Sequence, residues 1–100
     1  MEAYADKHMA CEAREGVHWV RIEKEDHGWT ISTSKRCKKL LRLGEEAARM
    51  LRHAQPWEIN RNAFKRLVQQ REREKWEARI NLIIRVLHAC KKEYKHEEKE

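Results

Sequence analysis

The most regular pattern in this chain is an apolar stripe in its C-terminal half, where apolar residues recur every three or four positions. The stripe consists of Trp76, Ile80, Ile83, Leu87, Cys90 and Tyr94. This spacing is typical of a helix that packs along one face, and it also fits a coiled-coil seam. Pro56 is the last proline or glycine of the chain, and proline is tolerated in the first turn of a helix. The sequence therefore predicts one long helix over residues 56–97.

The polar run of residues 69–75 separates the two apolar parts of this predicted helix. All of its residues favour helix, and Arg73 and Glu77 are spaced to form an ion pair across one turn. We therefore expect the helix to continue through the run. The alternative is a tight turn within it, which would give an antiparallel helical hairpin, although no typical turn residue occurs there.

Residues 34–54 carry a second helical pattern, and Ser34 is the expected N-cap. Gly44 interrupts this pattern. It predicts either two consecutive helices that break at the glycine, which we favour, or one helix that accepts a cost of about 1 kcal/mol.

Two segments before residue 34 alternate in the manner of strands. They are residues 17–23 and 28–33, and the residues between them end in Gly28, so we expect a β-hairpin in which Trp19 and Trp29 pair across the strands. Residues 2–14 favour helix and are followed by a glycine, which predicts a short N-terminal helix.

Together these elements predict a single domain over residues 1–100 that is mainly α with one small β-hairpin. The expected order is α-β-β-α-(α)-long α. The corresponding segments are an N-terminal segment, the hairpin, a basic helix or helix pair and the long helix, over residues 1–16, 17–33, 34–54 and 56–97.

Charge is abundant and unevenly distributed. Charged residues make up 40% of the chain, whereas about a quarter is typical of a globular domain, so the core must be thin. The formal net charge is −3 over residues 1–33, +5 over residues 34–54 and +4 over residues 55–100. This distribution predicts an acidic partner for the basic part, either nucleic acid or an acidic protein surface.

The cysteines and the termini indicate the compartment. The chain has 3 cysteines without a short-spaced pair, whereas a secreted disulfide framework needs an even number. The N-terminal residues do not resemble a signal peptide, and no stretch reaches the roughly 18 apolar residues of a membrane span. We expect a soluble, cytoplasmic protein in a reducing environment, without a membrane partner.

Basic residues recur on one face of the segment 34–54. They predict an anion-binding or nucleic-acid-binding surface formed by Lys35, Lys38, Lys39, Arg42, Arg49 and Arg52. Binding through such a face is expected to be weak and salt-sensitive. The alternative is an ordinary solvated helix face that keeps the protein in solution.

The tryptophans and the apolar stripe offer a second candidate surface. Tryptophan and arginine are enriched at binding hot spots, and a small protein with 4 tryptophans is unusual. The predicted partner-binding residues are Trp57, Trp76, Arg73, Ile80, Ile83 and Leu87. The alternative is that a thin core uses large side chains to bury enough area.

Catalytic and metal-binding motifs are missing from the sequence. It contains no glycine-rich phosphate loop, nucleophile elbow or HExxH motif, and its histidines and cysteines do not form the two short-spaced pairs of a zinc finger. We therefore expect a protein that is not an enzyme and has no catalytic residues, no cofactor and no metal.

The leading functional expectation is a small accessory or inhibitor protein that docks on a larger protein, such as a nuclease or a helicase. A small, basic, tryptophan-rich chain without a catalytic motif is similar in general character to phage early accessory proteins that redirect host nucleic-acid enzymes. The second expectation is direct, non-specific binding of DNA or RNA through the basic face. The third is self-association as a homodimer through the C-terminal helix.

Overall fold

A computed structural model describes the backbone of residues 10–99 and the side chains of residues 10–90. The regular elements are β1 (Ala10–Glu15), β2 (His18–Glu25), β3 (Gly28–Thr33), α1 (Lys38–Met50) and α2 (Arg73–Lys99). Short 3-10 helices lie between α1 and α2, at Pro56–Glu58, Arg61–Leu67 and Gln70–Glu72. The fold is therefore an antiparallel sheet of three strands followed by helices, and the prediction of a mainly α protein with one hairpin is wrong.

Strand β1 occupies part of the segment that was predicted to be an N-terminal helix. Cys11 is buried while Glu12 and Arg14 are exposed, which is the alternation of a strand with one face on the core. β1 pairs with β2, so that Cys11 lies opposite Ile22. Pairing and burial outweigh the helix propensity of these side chains. Residues 2–9 of the predicted helix lie outside the described residues.

The predicted hairpin is confirmed as β2 and β3, but its tryptophans do not pair. Trp19 lies opposite Arg14 of β1, whereas Trp29 lies opposite Lys24, so the two indoles are on opposite faces of the sheet. Trp29 instead packs edge to face on Trp57, with ring centroids 6.1 Å apart. The turn is shorter than the sequence indicated, because β2 continues to Glu25 and β3 begins at Gly28.

Both helices pack on the face of the sheet that carries Val20 and Ile22. Helix α1 contributes Leu40, Leu43 and Ala47 to the core, and Phe64 enters it from the segment between the helices. Helix α2 contributes the largest group of buried residues, which are Trp76, Ile80, Leu82, Ile83, Val86, Leu87 and Cys90. The apolar stripe read from the sequence is therefore core up to Cys90, and the side chain of Tyr94 lies outside the described side chains.

Gly44 does not break α1, and the favoured prediction of two helices in this segment is wrong. The helix is continuous because Gly44 faces the sheet, where a Cβ atom on it would lie 3.0 Å from Cγ2 of Thr33. The glycine thus lets the helix backbone approach β3 closely, at the expense of some helix propensity.

Ser34 is not the N-cap of α1, which is Cys37. The Ser34 hydroxyl is buried against β2, where its Oγ accepts a hydrogen bond from the N–H of Trp19 at 3.0 Å. The N–H of Ser34 donates to the Trp19 carbonyl, also at 3.0 Å. Ser34 therefore extends the pairing of β3 with β2 by one residue before the chain turns into the helix.

The long C-terminal helix begins at Arg73, not at residue 56, so the prediction of a single helix over residues 56–97 is wrong. Val68 and Gln69 are extended, with ψ angles of 121° and 137°, and they separate the 3-10 segment from α2. Asn60 is also extended and its side chain accepts from the N–H of Asn62, which is the capping behaviour that asparagine favours. The ion pair of Arg73 with Glu77 is confirmed at 3.0 Å. Within residues 10–99, neither helix carries an apolar stretch long enough to cross a membrane.

The contact of Gly44 with Thr33 predicts coupling between the two positions. Gly44→Ala gains about 1 kcal/mol of helix propensity but places a methyl group against Thr33. Thr33→Ser removes Cγ2 and keeps the hydroxyl. We expect Gly44→Ala to be about 1 kcal/mol more favourable in the Thr33→Ser background than in the wild-type background. Urea unfolding of the four proteins measures this difference, and additive effects would show that the helix and strand do not constrain each other here.

Candidate functional site

A cleft of about 290 Å³ lies between the N-terminal part of α1 and the start of α2. Its walls come from three parts of the chain: α1, the segment before α2, and the first turn of α2. The lining residues are Lys38, Lys39, Arg42, Arg66, Leu67, Gln69 and Trp76. Four of these side chains carry a positive charge and none is acidic.

Direct contacts hold the two helix starts side by side. Nζ of Lys39 lies 2.5 Å from Oε1 of Glu72 and 5.7 Å from the centroid of the Trp76 ring. Nε of Arg79 donates to Sγ of Cys37 at 3.3 Å. The N-terminal end of a helix carries a partial positive charge from its unpaired N–H groups, so both helices add to the positive potential of the cleft.

Two carboxylates fix two of the cleft's cations. Glu72 is exposed, and the hydrogen bond and charge of Lys39 lower its pKa below the usual value. Glu46 is 8% exposed and accepts from Arg66 at 2.7 Å and also from Arg49. Burial raises the pKa of Glu46, but the hydrogen bonds from Arg49 and Arg66 outweigh burial, and its net pKa is lowered. Both carboxylates therefore stay ionised at neutral pH and hold their partners in place.

Lys38 and Arg42 are the uncompensated cations of the cleft. Both are exposed, and no ion pair within the described residues includes either of them. Lys35 and Arg36 are exposed in the loop that precedes α1. The cleft thus carries at least two positive charges beyond those that the neighbouring carboxylates neutralise.

Trp76 lines the cleft and is almost completely covered. It is 6% exposed, and its indole Nε1 is buried with no hydrogen-bond acceptor among the described residues. Most buried polar groups in folded proteins have a partner, so an unpaired donor beside a basic cleft is unusual.

Cys37 lies next to this cleft, at the start of α1, and is half-buried. Burial raises the pKa of its thiol, but the hydrogen bond from Arg79 and the nearby N–H groups of Leu40 and Lys39 outweigh burial, so the net pKa is lowered. The guanidinium of Arg79 also lies 3.1 Å from Nε2 of His18. Because arginine can only donate, the His18 ring accepts at Nε2.

The predicted basic face is divided by the structure. Lys38, Lys39 and Arg42 line the cleft, and Lys35 lies just outside it. Arg49 forms an ion pair with Glu46, and Arg52 lines a separate cavity of about 560 Å³ beside the β2–β3 turn.

The predicted partner-binding residues are mostly internal. The core contains Trp76, Ile80, Ile83 and Leu87. Trp57 is half-buried against Trp29, and Arg73 is exposed and paired with Glu77. Of the set proposed from sequence, only Trp57 and Arg73 keep accessible surface for a partner.

Sequence reasoning did not assign Arg66 or Gln69 to the basic face. Both lie in the segment that was taken as part of one long helix, and only the bend at Val68 and Gln69 brings them opposite α1. The capping preference of Asn60 was an available signal that the helix does not run through this segment.

The described residues offer no evident metal site. Among the described residues, no three histidine, cysteine, aspartate or glutamate side chains come close enough to hold a metal ion. No family model, curated protein or solved structure matches this chain. The chemistry of the cleft is therefore the basis for a functional assignment.

Glu46 predicts a pH dependence of stability. Its pKa is lower in the folded protein than in the unfolded chain, where about 4.3 is usual, so its contribution is present above that value and is lost as the pH falls through the folded pKa. We expect Glu46→Gln to lower the free energy of unfolding at pH 7 by about 1 kcal/mol, and to flatten its decline below about pH 4. Glu45→Gln, an exposed neighbour, is the matched control. Parallel pH curves for wild type and Glu46→Gln would contradict this account.

Cys37 is predicted to be more reactive than an ordinary thiol. Its alkylation by iodoacetamide follows the thiolate fraction, so the midpoint of the rate–pH curve should lie below the usual value of about 8.5. Arg79→Gln should raise this midpoint, whereas Arg85→Gln, an exposed change on the same helix, should not. Cys11 and Cys90 are buried and should react only on unfolding. An unchanged midpoint in Arg79→Gln would mean that the guanidinium does not stabilise the thiolate.

Proposed function

We propose that this protein is a non-enzymatic accessory protein that binds nucleic acid through its phosphates, with the basic cleft at the centre of the contact. The observation that carries the proposal is the composition of the cleft. Four cations line it without an acidic residue, and Lys38 and Arg42 have no carboxylate partner within the described residues. Released counterions make such a surface favourable for a polyanion.

The distribution of charge over the fold supports a polyanion on the helical side. On the outer face of the sheet, Arg21 is held between Glu12 at 3.2 Å and Glu23 at 3.0 Å, so the charges there compensate one another. On the helical side, Lys35 and Arg36 are exposed in the loop that leads into the cleft-lining start of α1. A one-sided positive surface steers and orients an anionic partner.

The side chains of the cleft favour binding over catalysis. Lysine and arginine donate hydrogen bonds to phosphate oxygens, and Gln69 adds an amide that can donate or accept. Neither a carboxylate nor a histidine forms part of the cleft walls, so the walls lack the usual groups for proton transfer near neutral pH. Phosphate contacts of this kind position a nucleic acid without reading its sequence.

Docking on a larger protein, such as a nuclease or a helicase, is the second candidate. It is supported by an open, mostly apolar groove of about 460 Å³ that is lined in part by Met50, Ala54, Ile59 and Ala63. It ranks second because most of the docking residues expected from sequence are in the core. Self-association through the apolar stripe ranks third, because the stripe up to Cys90 is already covered by the sheet and by α1.

The salt dependence of binding tests the leading proposal. Each phosphate contact with duplex DNA contributes about 0.9 to the slope of log K against log salt concentration. The double variant Lys38→Gln/Arg42→Gln should therefore reduce the slope by about 2 and weaken binding, which is expected in the micromolar range or weaker. Fluorescence anisotropy of a labelled duplex, titrated between about 50 and about 200 mM salt, gives both values.

The control is Lys65→Gln/Arg85→Gln, which removes the same charge from exposed positions outside the cleft. It should change the slope by less than the cleft variant. Equal effects of the two variants would mean that net charge, and not the cleft, determines binding. Failure of the wild-type protein to bind at the lowest salt concentration would refute the proposed function.

A further inference from the structure

We propose that the cleft receives a terminal phosphate, the phosphomonoester at the end of a nucleic-acid strand, in preference to the phosphodiesters within the strand. This inference rests on the proposed function and specifies which phosphate occupies the cleft. The charge, the shape and the hydrogen-bond donors of the cleft favour a terminal phosphate.

Charge distinguishes the two kinds of phosphate. Glu72 compensates Lys39, and Glu46 is shared between Arg49 and Arg66, which leaves a surplus of at least two positive charges, including those of Lys38 and Arg42. A phosphomonoester carries a charge of about −1.5 to −2 at pH 7, whereas an internal phosphodiester carries about −1. The dianion therefore neutralises more of the surplus than the diester does.

Shape points to the end of a strand. The cleft is a concave site of about 290 Å³, which is the liquid volume of about ten water molecules and accommodates a phosphate with part of its sugar. A terminal phosphate has one attachment and can enter with three oxygens facing the walls. An internal phosphate is attached on two sides, so only part of its surface can reach donors within the cleft.

Two of the four cations are held in position before a ligand arrives. Carboxylates fix Lys39 and Arg66, and Gln69 and Trp76 complete the walls. The indole Nε1 of Trp76 is a buried donor without an acceptor among the described residues. Donors that are already ordered lose less freedom on binding.

The test compares single-stranded oligonucleotides of one sequence that end in a 5′-phosphate or a 5′-hydroxyl group, each labelled at the opposite end. At pH 7.5 the phosphorylated strand should bind about tenfold more tightly. The preference should shrink as the pH falls below about 6, where the phosphate loses its second charge. No histidine lines the cleft, and the pKa values of Glu46 and Glu72 are lowered, so the ligand and not the cleft titrates in this range.

Two variants locate the effect. Lys38→Gln/Arg42→Gln should remove the preference for the phosphorylated strand, while Lys65→Gln/Arg85→Gln should retain it. The ratio of the two affinities is used because it is insensitive to a partly unfolded sample.

Competition identifies the source of the phosphate. Displacement of the phosphorylated strand by a nucleoside 5′-monophosphate, but not by the nucleoside, would support the phosphomonoester site. The affinity of the monophosphate then shows whether a free nucleotide can occupy the cleft without the rest of a strand. Equal binding of both strands, with the cleft variant weakening both equally, would overturn the terminal-phosphate inference and leave nucleic-acid binding intact. Absence of binding to either strand would refute the proposed function as well.

Discussion

The burial of one face of α2 against the sheet is the contact on which the rest of this structure depends. The sheet has three short strands, and its apolar face must be covered for the sheet to be stable. Helix α2 supplies the largest group of core residues, and Ile83, Val86 and Leu87 are completely buried. In a chain with so much charge, the stripe up to Cys90 is the largest group of apolar residues in the core, so the fold covers this part of it.

Placing α2 across the sheet also determines where the basic cleft forms. The chain leaves α1 at Met50 and must return to the start of α1 before α2 can begin. The segment between the helices makes this return as 3-10 turns, and buried Ile59, Phe64 and Leu67 attach it to the core. Arg66 and Gln69 lie on the outside of the same segment and therefore face α1. A packing requirement thus assembles cations that are far apart in the sequence.

The parts of the fold that the sequence predicted correctly are those with a strong local pattern. Alternation defined β2 and β3, and the apolar stripe defined the side of α2 that packs on the core. The N-terminal strand was missed because the side chains of Glu12 and Arg14 favour helix, and only pairing with β2 makes the segment extended. The sequence did not predict that α1 is continuous, because Gly44 serves to let the helix approach Thr33. That contact is a tertiary feature.

The site, like the fold, was predicted where the pattern is local and missed where it depends on tertiary contacts. Lys38, Lys39 and Arg42 share one helix face and could be grouped from their spacing, whereas Arg66 and Gln69 join them only through the bend before α2. The two carboxylates reduce the repulsion between the cations that the fold brings together. Exposed ion pairs contribute little to stability, so the main effect of Glu72 is on position, since it fixes Lys39 at the wall of the cleft. Buried Glu46 holds Arg66 in place and also contributes to stability. Neither carboxylate pairs with Lys38 or Arg42. Among the described residues no anion neutralises these two charges, so the cleft keeps a positive potential that an external anion can neutralise.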